Sequence, residues 1–475
     1  MDKPQTEITF YSGIHTIGGV IFEVRYGNDR VLMEMGAAYD PKKDVFDGVV
    51  EPRAKNWLAD KLRLGSLPEI DGLFRAADLA GYEGVVPVEE SPLNTAVFIT
   101  HLHLDHMAHI GTVAPQIPVY MHRNAQIIER ALETVGEGVD TLVRDYQDLK
   151  PDELVRVGEI AVMPVLCHDE SYFDFAFLVT TPDGVIYWTG DLVLHGENHE
   201  QAFKQLDLLS NYEVDLLICD ATSFMNDVLS WSNQSLNPQA ILPSREVPQG
   251  LLSEADYYAW NYEKISEAPG LCVFNFYQRE MDDARRLIDW AERLGRKCCF
   301  EPDAAYMVHQ FFGISPFVYY PDSQRFGPGA PAWVEELRRN SRELSLEEIR
   351  ANPGAYLLQN SYRHIMELFS LPGGLYLHMG GMPLGSFDPA FAKMLLLLEK
   401  AGFEFASFSA KNYFAHAYPS QVKYFVDTIN PHVLVPCHSY NPERLLPKDG
   451  RQLIPELGRT YILKDHQINE KNLEA

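Results

Sequence analysis

Residues 96–106 read AVFITHLHLDH, and this stretch decides the fold of the chain. Four apolar residues predict a buried strand, and three imidazoles and one carboxylate follow within the next seven residues. On an extended segment, side chains at positions i and i+2 share a face, so His101 and His103 can hold one ion together. Asp105 and His106 follow as the chain turns, and they can face a neighbouring position. Imidazole with carboxylate suits zinc, so the stretch predicts a catalytic metal site.

The composition is that of a globular protein. The chain has 475 residues, of which 46% are hydrophobic and 12% aromatic, enough for two or three domains or one large core with an insertion. No stretch approaches the roughly 18 apolar residues needed to cross a bilayer, and the N-terminus lacks the pattern of a signal peptide. Six scattered cysteines without a CxxC pair favour reduced thiols and a cytoplasmic protein.

The net charge of -27 bears on the choice of substrate. A protein that holds a polynucleotide on its surface usually carries a basic patch. This chain must therefore gather its cations around one cleft or bind something smaller than long nucleic acid. The charge does not exclude a nuclease, because the local field steers a substrate. The candidate cations are Arg279, Arg285, Arg286 and Arg363.

The order of predicted elements suggests an interrupted core. A hairpin is expected over residues 20–33, and further strands lead to residue 220. Strand and helix patterns then alternate, which indicates a small α/β insertion. The expected parts are a first core segment over 1–221, the insertion over 222–395 and a closing core segment over 396–475.

Three later apolar runs also end in groups that bind metals, namely His168, Asp191 and His438. Two ions about 3.5–4 Å apart could clamp the attacking and leaving oxygens of a displacement, with Asp191 as a bridge. A water shared by two dications loses its proton near neutral pH and becomes the nucleophile. The expected ligands are His101, His103 and His168 for one ion, and Asp105, His106 and His438 for the other.

These motifs resemble the metallo-β-lactamase-fold hydrolases, whose signature is HxHxDH followed by further His, Asp and His ligands. The resemblance implies an αββα sandwich and a dinuclear centre, with zinc or alternatively manganese. The family's early motif is usually an Asp before Gly, whereas this chain has Glu34 near Gly36.

A finer resemblance is to the β-CASP branch, which includes ribonuclease J and carries an α/β insertion between the Asp ligand and the last His. Asp220 and His416 are similar to an acidic residue and a His of that branch. The resemblance implies that His416 acts as general acid or holds the scissile phosphate, that Asp220 orients it, and that Asp105 belongs to the same catalytic set. A solvated carboxylate and an ordinary histidine remain the alternatives for Asp220 and His416. His195, four residues past Asp191, is expected at the polar surface, with a position behind the metal ligands as the alternative.

The sequence thus predicts a two-zinc phosphodiester hydrolase, foremost a ribonuclease, that uses a metal-bridging hydroxide in a cleft between core and insertion. One alternative is a metal-dependent hydrolase of a small anionic ester or phosphodiester. Another is a non-catalytic subunit. RNA or a small anionic molecule is the expected partner, and no membrane is expected.

Overall fold

The structure is a computed structural model. It describes residues 3–40, 45–46, 50–139, 144–168, 174–197, 199–224, 241–408 and 413–471. For His168 the backbone alone is described.

The strands follow the apolar, β-branched runs of the sequence. In chain order they are β1 (Thr6–Ser12), β2 (Ile21–Tyr26), β3 (Asp29–Met33), β4 (Asn94–Phe98), β5 (Val119–His122), β6 (Gln147–Leu149), β7 (Val155–Val157), β8 (Ile160–His168), β9 (Asp174–Thr181), β10 (Gly184–Trp188), β11 (Leu216–Asp220), β12 (Leu271–Phe276), β13 (Lys297–Phe300), β14 (Phe317–Val318), β15 (Arg342–Glu343), β16 (Tyr356–Gln359), β17 (Gly374–Met379), β18 (Phe403–Ser407), β19 (Val433–Cys437), β20 (Arg451–Gln452), β21 (Thr460–Lys464) and β22 (Gln467–Glu470).

The α-helices are, in chain order, α1 (Trp57–Leu64), α2 (Ala76–Leu79), α3 (Leu104–Met107), α4 (Arg123–Val135), α5 (His199–Leu209), α6 (Glu254–Glu267), α7 (Met281–Arg293), α8 (Pro302–Phe312), α9 (Ala332–Asn340), α10 (Leu346–Ala351), α11 (Pro389–Lys400) and α12 (Pro419–Ile429). Their starts carry local signals. Ser253 caps α6 in a reciprocal capping box with Asp256, and α8, α11 and α12 begin with proline, whose fixed φ suits the first helical turn.

Two sheets lie face to face and form the core. The first has the strand order β22-β21-β1-β2-β3-β4-β5-β6, and the second has β20-β19-β11-β10-β9-β8-β7. Phe22 and Phe98 of the first sheet pack edge-to-face against Trp188 and Phe177 of the second, each with ring centroids 5.8 Å apart. Apolar residues of α1 and α4 cover the outer face of the first sheet, and those of α5 and α12 cover the second. The expected αββα sandwich is confirmed.

A third sheet lies in the segment between β11 and β19. Its order is β15-β14-β13-β16-β12-β17-β18, and its strands pair in parallel. Helices cover both faces, as parallel sheets require. One apolar cluster joins α7 and α8 to α4 of the core, so this inserted α/β unit packs directly on the first helical layer. Since β18 pairs with β17, the sheet continues past residue 395.

Two predictions from the sequence concern the cysteines and membrane-spanning segments. All six cysteines are buried and unbridged. Within the described residues, no helix combines the length and apolarity that crossing a membrane requires.

Candidate metal centre

The candidate site lies where strands of both sheets end. In the first sheet β3 and β4 are parallel neighbours, and in the second β10, β11 and β19 run parallel. Parallel strands present their carboxyl ends at one edge, the usual place for a site in such sheets. β4 leads into the histidine loop, β10 leads to Asp191, β11 ends at Asp220, and β19 leads to His438.

The first group of candidate ligands contains His101, His103 and Asp191. One ligand atom from each lies within 4.8 Å of the others, and His101 Nε2 is 3.7 Å from Asp191 Oδ2. His101 Nδ1 is 2.9 Å from the hydroxyl of Thr100, which leaves Nε2 turned to the site. His168 closes β8, but its side chain lies outside the described part of the chain.

The second group contains Asp105, His106 and His438, again with ligand atoms within 4.8 Å of one another. His438 Nε2 lies 3.1 Å from Asp105 Oδ2. Asp191 Oδ1 lies 2.9 Å from His106 Nε2 and 3.7 Å from His438 Nε2. The two oxygens of Asp191 therefore face different groups, which is the geometry of a bridging carboxylate.

The donor atoms fit divalent metal ions. Among the described residues, His101 Nε2 is buried without a hydrogen-bond partner, although buried polar atoms are ordinarily satisfied. Burial, and then the neighbouring imidazoles of His106 and His103, lower the pKa of His101 well below its ordinary value. Burial raises the pKa of Asp191, but the imidazoles of His106, His438 and His416 outweigh it and hold that pKa well below the usual range. A neutral imidazole beside an ionised carboxylate is what a metal requires.

His416 lies beside the bridging carboxylate. Its Nδ1 is 2.8 Å from Asp220 Oδ2, and its Nε2 is 3.8 Å from Asp191 Oδ2. Burial lowers the pKa of His416, but the Asp220 carboxylate outweighs it and raises that pKa to about 9. Asp220 is almost fully buried, and it also accepts hydrogen bonds from the backbone N–H groups of Leu192 and Thr222. It is therefore a bonded, buried carboxylate and not a solvated one.

Thr222 connects Asp220 to the second group and was not identified from the sequence. Its hydroxyl donates to Asp220 Oδ1 and lies 2.6 Å from His438 Nδ1. Because the hydroxyl gives its single proton to Asp220, it accepts from the Nδ1–H of His438. This tautomer leaves His438 Nε2 with a free lone pair toward Asp105. The polar position two residues after a strand-end carboxylate was the available signal.

Glu34 is fully buried directly after β3. Its carboxylate accepts from Trp188 Nε1 at 3.0 Å and from the backbone N–H of Thr100 at 3.3 Å, and it lies 3.6 Å from His106 Nδ1. Gly36 packs against the histidine loop, since a Cβ there would lie 1.7 Å from the backbone oxygen of Asp105. The segment after β3 thus supports the backbone that carries two candidate ligands.

The sequence did not correctly predict the positions of three further side chains at the site. His195 is buried, not at the surface, and its Nε2 lies 3.1 Å from the backbone oxygen of His416. Asp174 begins β9 opposite His168, and burial raises its pKa well above the ordinary value. Glu280, in the insertion, contacts Nε2 of His103. Only Asp174 had a sequence signal, as the hairpin partner of a candidate ligand.

The four arginines named from the sequence as candidate cations for an RNA path each pair with an acidic side chain. Arg279 is buried and donates to Glu129 Oε2 at 2.9 Å. The other three also pair with acidic side chains: Arg285 with Asp289, Arg286 with Glu197, and Arg363 with Glu137.

Comparisons with known proteins agree with the architecture. The family described as Beta-lactamase superfamily domain matches residues 70–231. Ribonuclease J of Pyrococcus abyssi (strain GE5 / Orsay) is 22% identical over 294 residues, which are 61% of this chain and 57% of the ribonuclease. The match thus spans little more than half of that relative's length.

Two solved structures were also compared. A protein of unknown function from Enterococcus faecalis V583 has a TM-score of 0.74 and 27% identity, covering 97% of this chain and all of that one. The metallo-beta-lactamase fold protein YhfI from Bacillus subtilis has a TM-score of 0.29 and 19% identity, covering 46% of this chain and 72% of its own.

Proposed function

Because the chain is a metallo-β-lactamase-fold protein and is ribonuclease J-like in sequence, we propose that it is a two-metal phosphodiester hydrolase whose first substrate class is single-stranded RNA. One observation carries the proposal. The two oxygens of Asp191 face two separate groups of donor atoms, and His416 stands next to that carboxylate.

The ligand set favours zinc, with manganese as the alternative. It consists of imidazoles and carboxylates, which suit these ions. Cys167 and Cys437 directly precede two candidate ligands, but burial raises the pKa of both thiols well above the ordinary value. Cys167 Sγ lies 3.6 Å from the backbone oxygen of Val165 and Cys437 Sγ lies 3.6 Å from that of Cys219, and neither described thiol belongs to a group of candidate ligands. His101, His103, His168 and Asp191 would hold one ion, and Asp105, His106, His438 and Asp191 the other.

The chemistry is an in-line displacement at phosphorus. Two divalent ions held by these residues would lower the pKa of water, which would lose a proton to solvent and could then serve as the nucleophile near neutral pH. The new bond joins the water oxygen to phosphorus, and the bond to the leaving oxygen breaks. His416 donates its proton to that leaving oxygen, a transfer that typically contributes about 10²–10⁴-fold. Asp220 keeps His416 protonated and turned to the site.

A small anionic phosphodiester is the second candidate substrate. The observation in its favour is that Arg279, Arg285, Arg286 and Arg363 are all neutralised by acidic partners. A long RNA backbone needs several uncompensated cations, whereas a small diester needs only the metal centre.

The test compares both substrates on the zinc-loaded protein. End-labelled single-stranded RNA and bis(p-nitrophenyl) phosphate are incubated with the native chain, with His101→Ala and with His199→Ala. His199 is a matched control, because its side chain is about half exposed at the start of α5. Cleavage of RNA that His101→Ala abolishes and His199→Ala preserves would support the ribonuclease. Turnover of the small diester alone would support the second candidate, and protein that binds no metal and cleaves neither would be a non-catalytic subunit.

A further inference from the structure

The turn between β12 and α7 reaches out of the insertion and touches the histidine loop. The ring of Tyr277 lies 5.5 Å from the ring of His103. Arg279 Nη1 lies 3.3 Å from the backbone oxygen of Leu102, between the two leading histidines. Glu280 places its Oε1 against Nε2 of His103. Three of the four residues in this turn therefore contact the loop that carries candidate ligands.

The turn is held firmly. Arg279 is 3% exposed, and its partner Glu129 on α4 is fully buried. The second guanidinium nitrogen lies 3.2 Å from the backbone oxygen of Glu137. The backbone N–H of Glu280 donates to the oxygen of Tyr277 at 2.8 Å, which closes the turn. A buried ion pair with these extra bonds fixes where the next side chain, Glu280, can lie.

The contact decides which nitrogen of His103 is available to an ion. An imidazole has two ring nitrogens, and the one that bears the proton donates while the other accepts. With Nε2–H donating to Glu280, Nδ1 carries the lone pair and is the nitrogen left for an ion. Carboxylates that accept from a metal-bound histidine fix its tautomer and its orientation, and they raise its basicity.

We propose that Glu280 is a positioning residue that the insertion supplies to the first metal ion through His103. The inference rests on the proposed two-metal function. It makes the insertion part of the metal centre as well as a wall of the cleft. Binding of that ion and docking of the turn become linked, so each stabilises the other.

Glu280→Ala tests the proposal directly. Glu280 is the N-cap of α7 but makes no side-chain cap bond, so the change removes the His103 contact without removing a cap. Glu280→Asp keeps the charge, and Glu292→Ala is the matched control on the exposed face of the same helix. Zinc affinity is measured by competition with a chromogenic chelator, and folding by thermal unfolding.

For the native chain two zinc ions are expected. In Glu280→Ala the dissociation constant of one ion should rise about 10–100-fold while the other stays unchanged. Glu280→Asp should recover part of the loss, and Glu292→Ala should match the native chain. Unchanged affinity in Glu280→Ala overturns the inference, and complete loss of one ion from a folded variant overturns it in favour of a direct ligand. A native chain that binds no zinc would defeat the proposed function itself, an outcome distinct from the other two.

Discussion

His416 Nδ1 lies 2.8 Å from Asp220 Oδ2, and His416 Nε2 faces Asp191 Oδ2 at 3.8 Å. One imidazole thus joins a buried carboxylate to the centre of the candidate metal site. The Asp220 carboxylate raises the pKa of His416 to about 9 against the effect of burial. Under the proposed function, the proton of His416 is the one that passes to the leaving oxygen.

The first prediction concerns the dependence of activity on pH. If protonated His416 is the acid, kcat/KM falls as pH rises through its pKa. Asp220→Asn removes the anion that raises this pKa, so the alkaline limb should move to lower pH by about one unit or more. A pH–rate profile of the variant against the native chain measures the shift. Asp207→Asn changes the charge by the same amount at an exposed position on α5, and it should leave the alkaline limb in place. An unmoved alkaline limb in Asp220→Asn would contradict the role assigned to Asp220.

The second prediction concerns metal content. Asp191 faces both groups of donors, whereas His438 faces only the second. Asp191→Ser should therefore weaken both ions and retain less than one equivalent of zinc after dialysis, while His438→Ala should retain about one. Elemental analysis of the dialysed proteins gives these values. Two full equivalents in Asp191→Ser would show that this carboxylate does not bridge.

The third prediction concerns the glycine behind the histidine loop. A Cβ at Gly36 would overlap the backbone oxygen of Asp105 at 1.7 Å, so Gly36→Ala must displace the backbone that bears Asp105 and His106. We expect a loss of about 1–3 kcal/mol in the free energy of unfolding together with weaker zinc binding. Urea denaturation and zinc titration measure the two effects. Gly270→Ala is the control, because no atom lies within 4 Å of a Cβ there, and equal behaviour of the two variants would refute the explanation.

The fourth prediction concerns stability in acid. Burial lowers the pKa of His109 to about 3, below the value of about 6.5 expected in the unfolded chain. Protonation of His109 therefore favours the unfolded chain. The stability that neutral His109 contributes above pH 6.5 is lost as pH falls toward 3, at about 1.4 kcal/mol of unfolding free energy per pH unit. His109→Leu should lose less free energy of unfolding between pH 7 and 4.5 than the native chain does. Urea denaturation at both pH values measures these losses, and His199→Leu, at an exposed position, is the control. Equal losses of unfolding free energy in the native chain and in His109→Leu would disprove the prediction.

Local patterns in the sequence were enough to predict much of the site. The run from residue 96 to 106 specifies a buried strand followed by ligands, because alternation and an abrupt polar change are local properties of the chain. The same logic found Asp191, Asp220 and His438 at strand ends. Alternating strand and helix patterns predicted the inserted α/β unit, and the family resemblance implied the αββα layers, both of which the structure shows.

The sequence alone did not predict which side chains, distant along the chain, pair with one another. The four arginines read as available cations, yet each has an acidic partner that is chosen by packing. His195 read as a surface residue, yet it is buried beside His416. The residue type of an ionisable side chain does not reveal whether that side chain is solvated or paired. Its neighbours in the folded structure decide between the two states.

The sequence by itself determined the predicted strand ends and the candidate ligands, because hydrophobic periodicity and residue chemistry are written along the chain. The resemblance of the ligand motif to a known family implied the αββα fold class. The tertiary structure decided that Asp191 faces two groups of donors, that Thr222 fixes the tautomer of His438, and that Glu280 reaches His103 from the insertion. The physical reason is that hydrogen bonds and metal ligation act over about 3 Å, and only the packing of the sheets and the insertion brings residues so far apart in the chain to that distance.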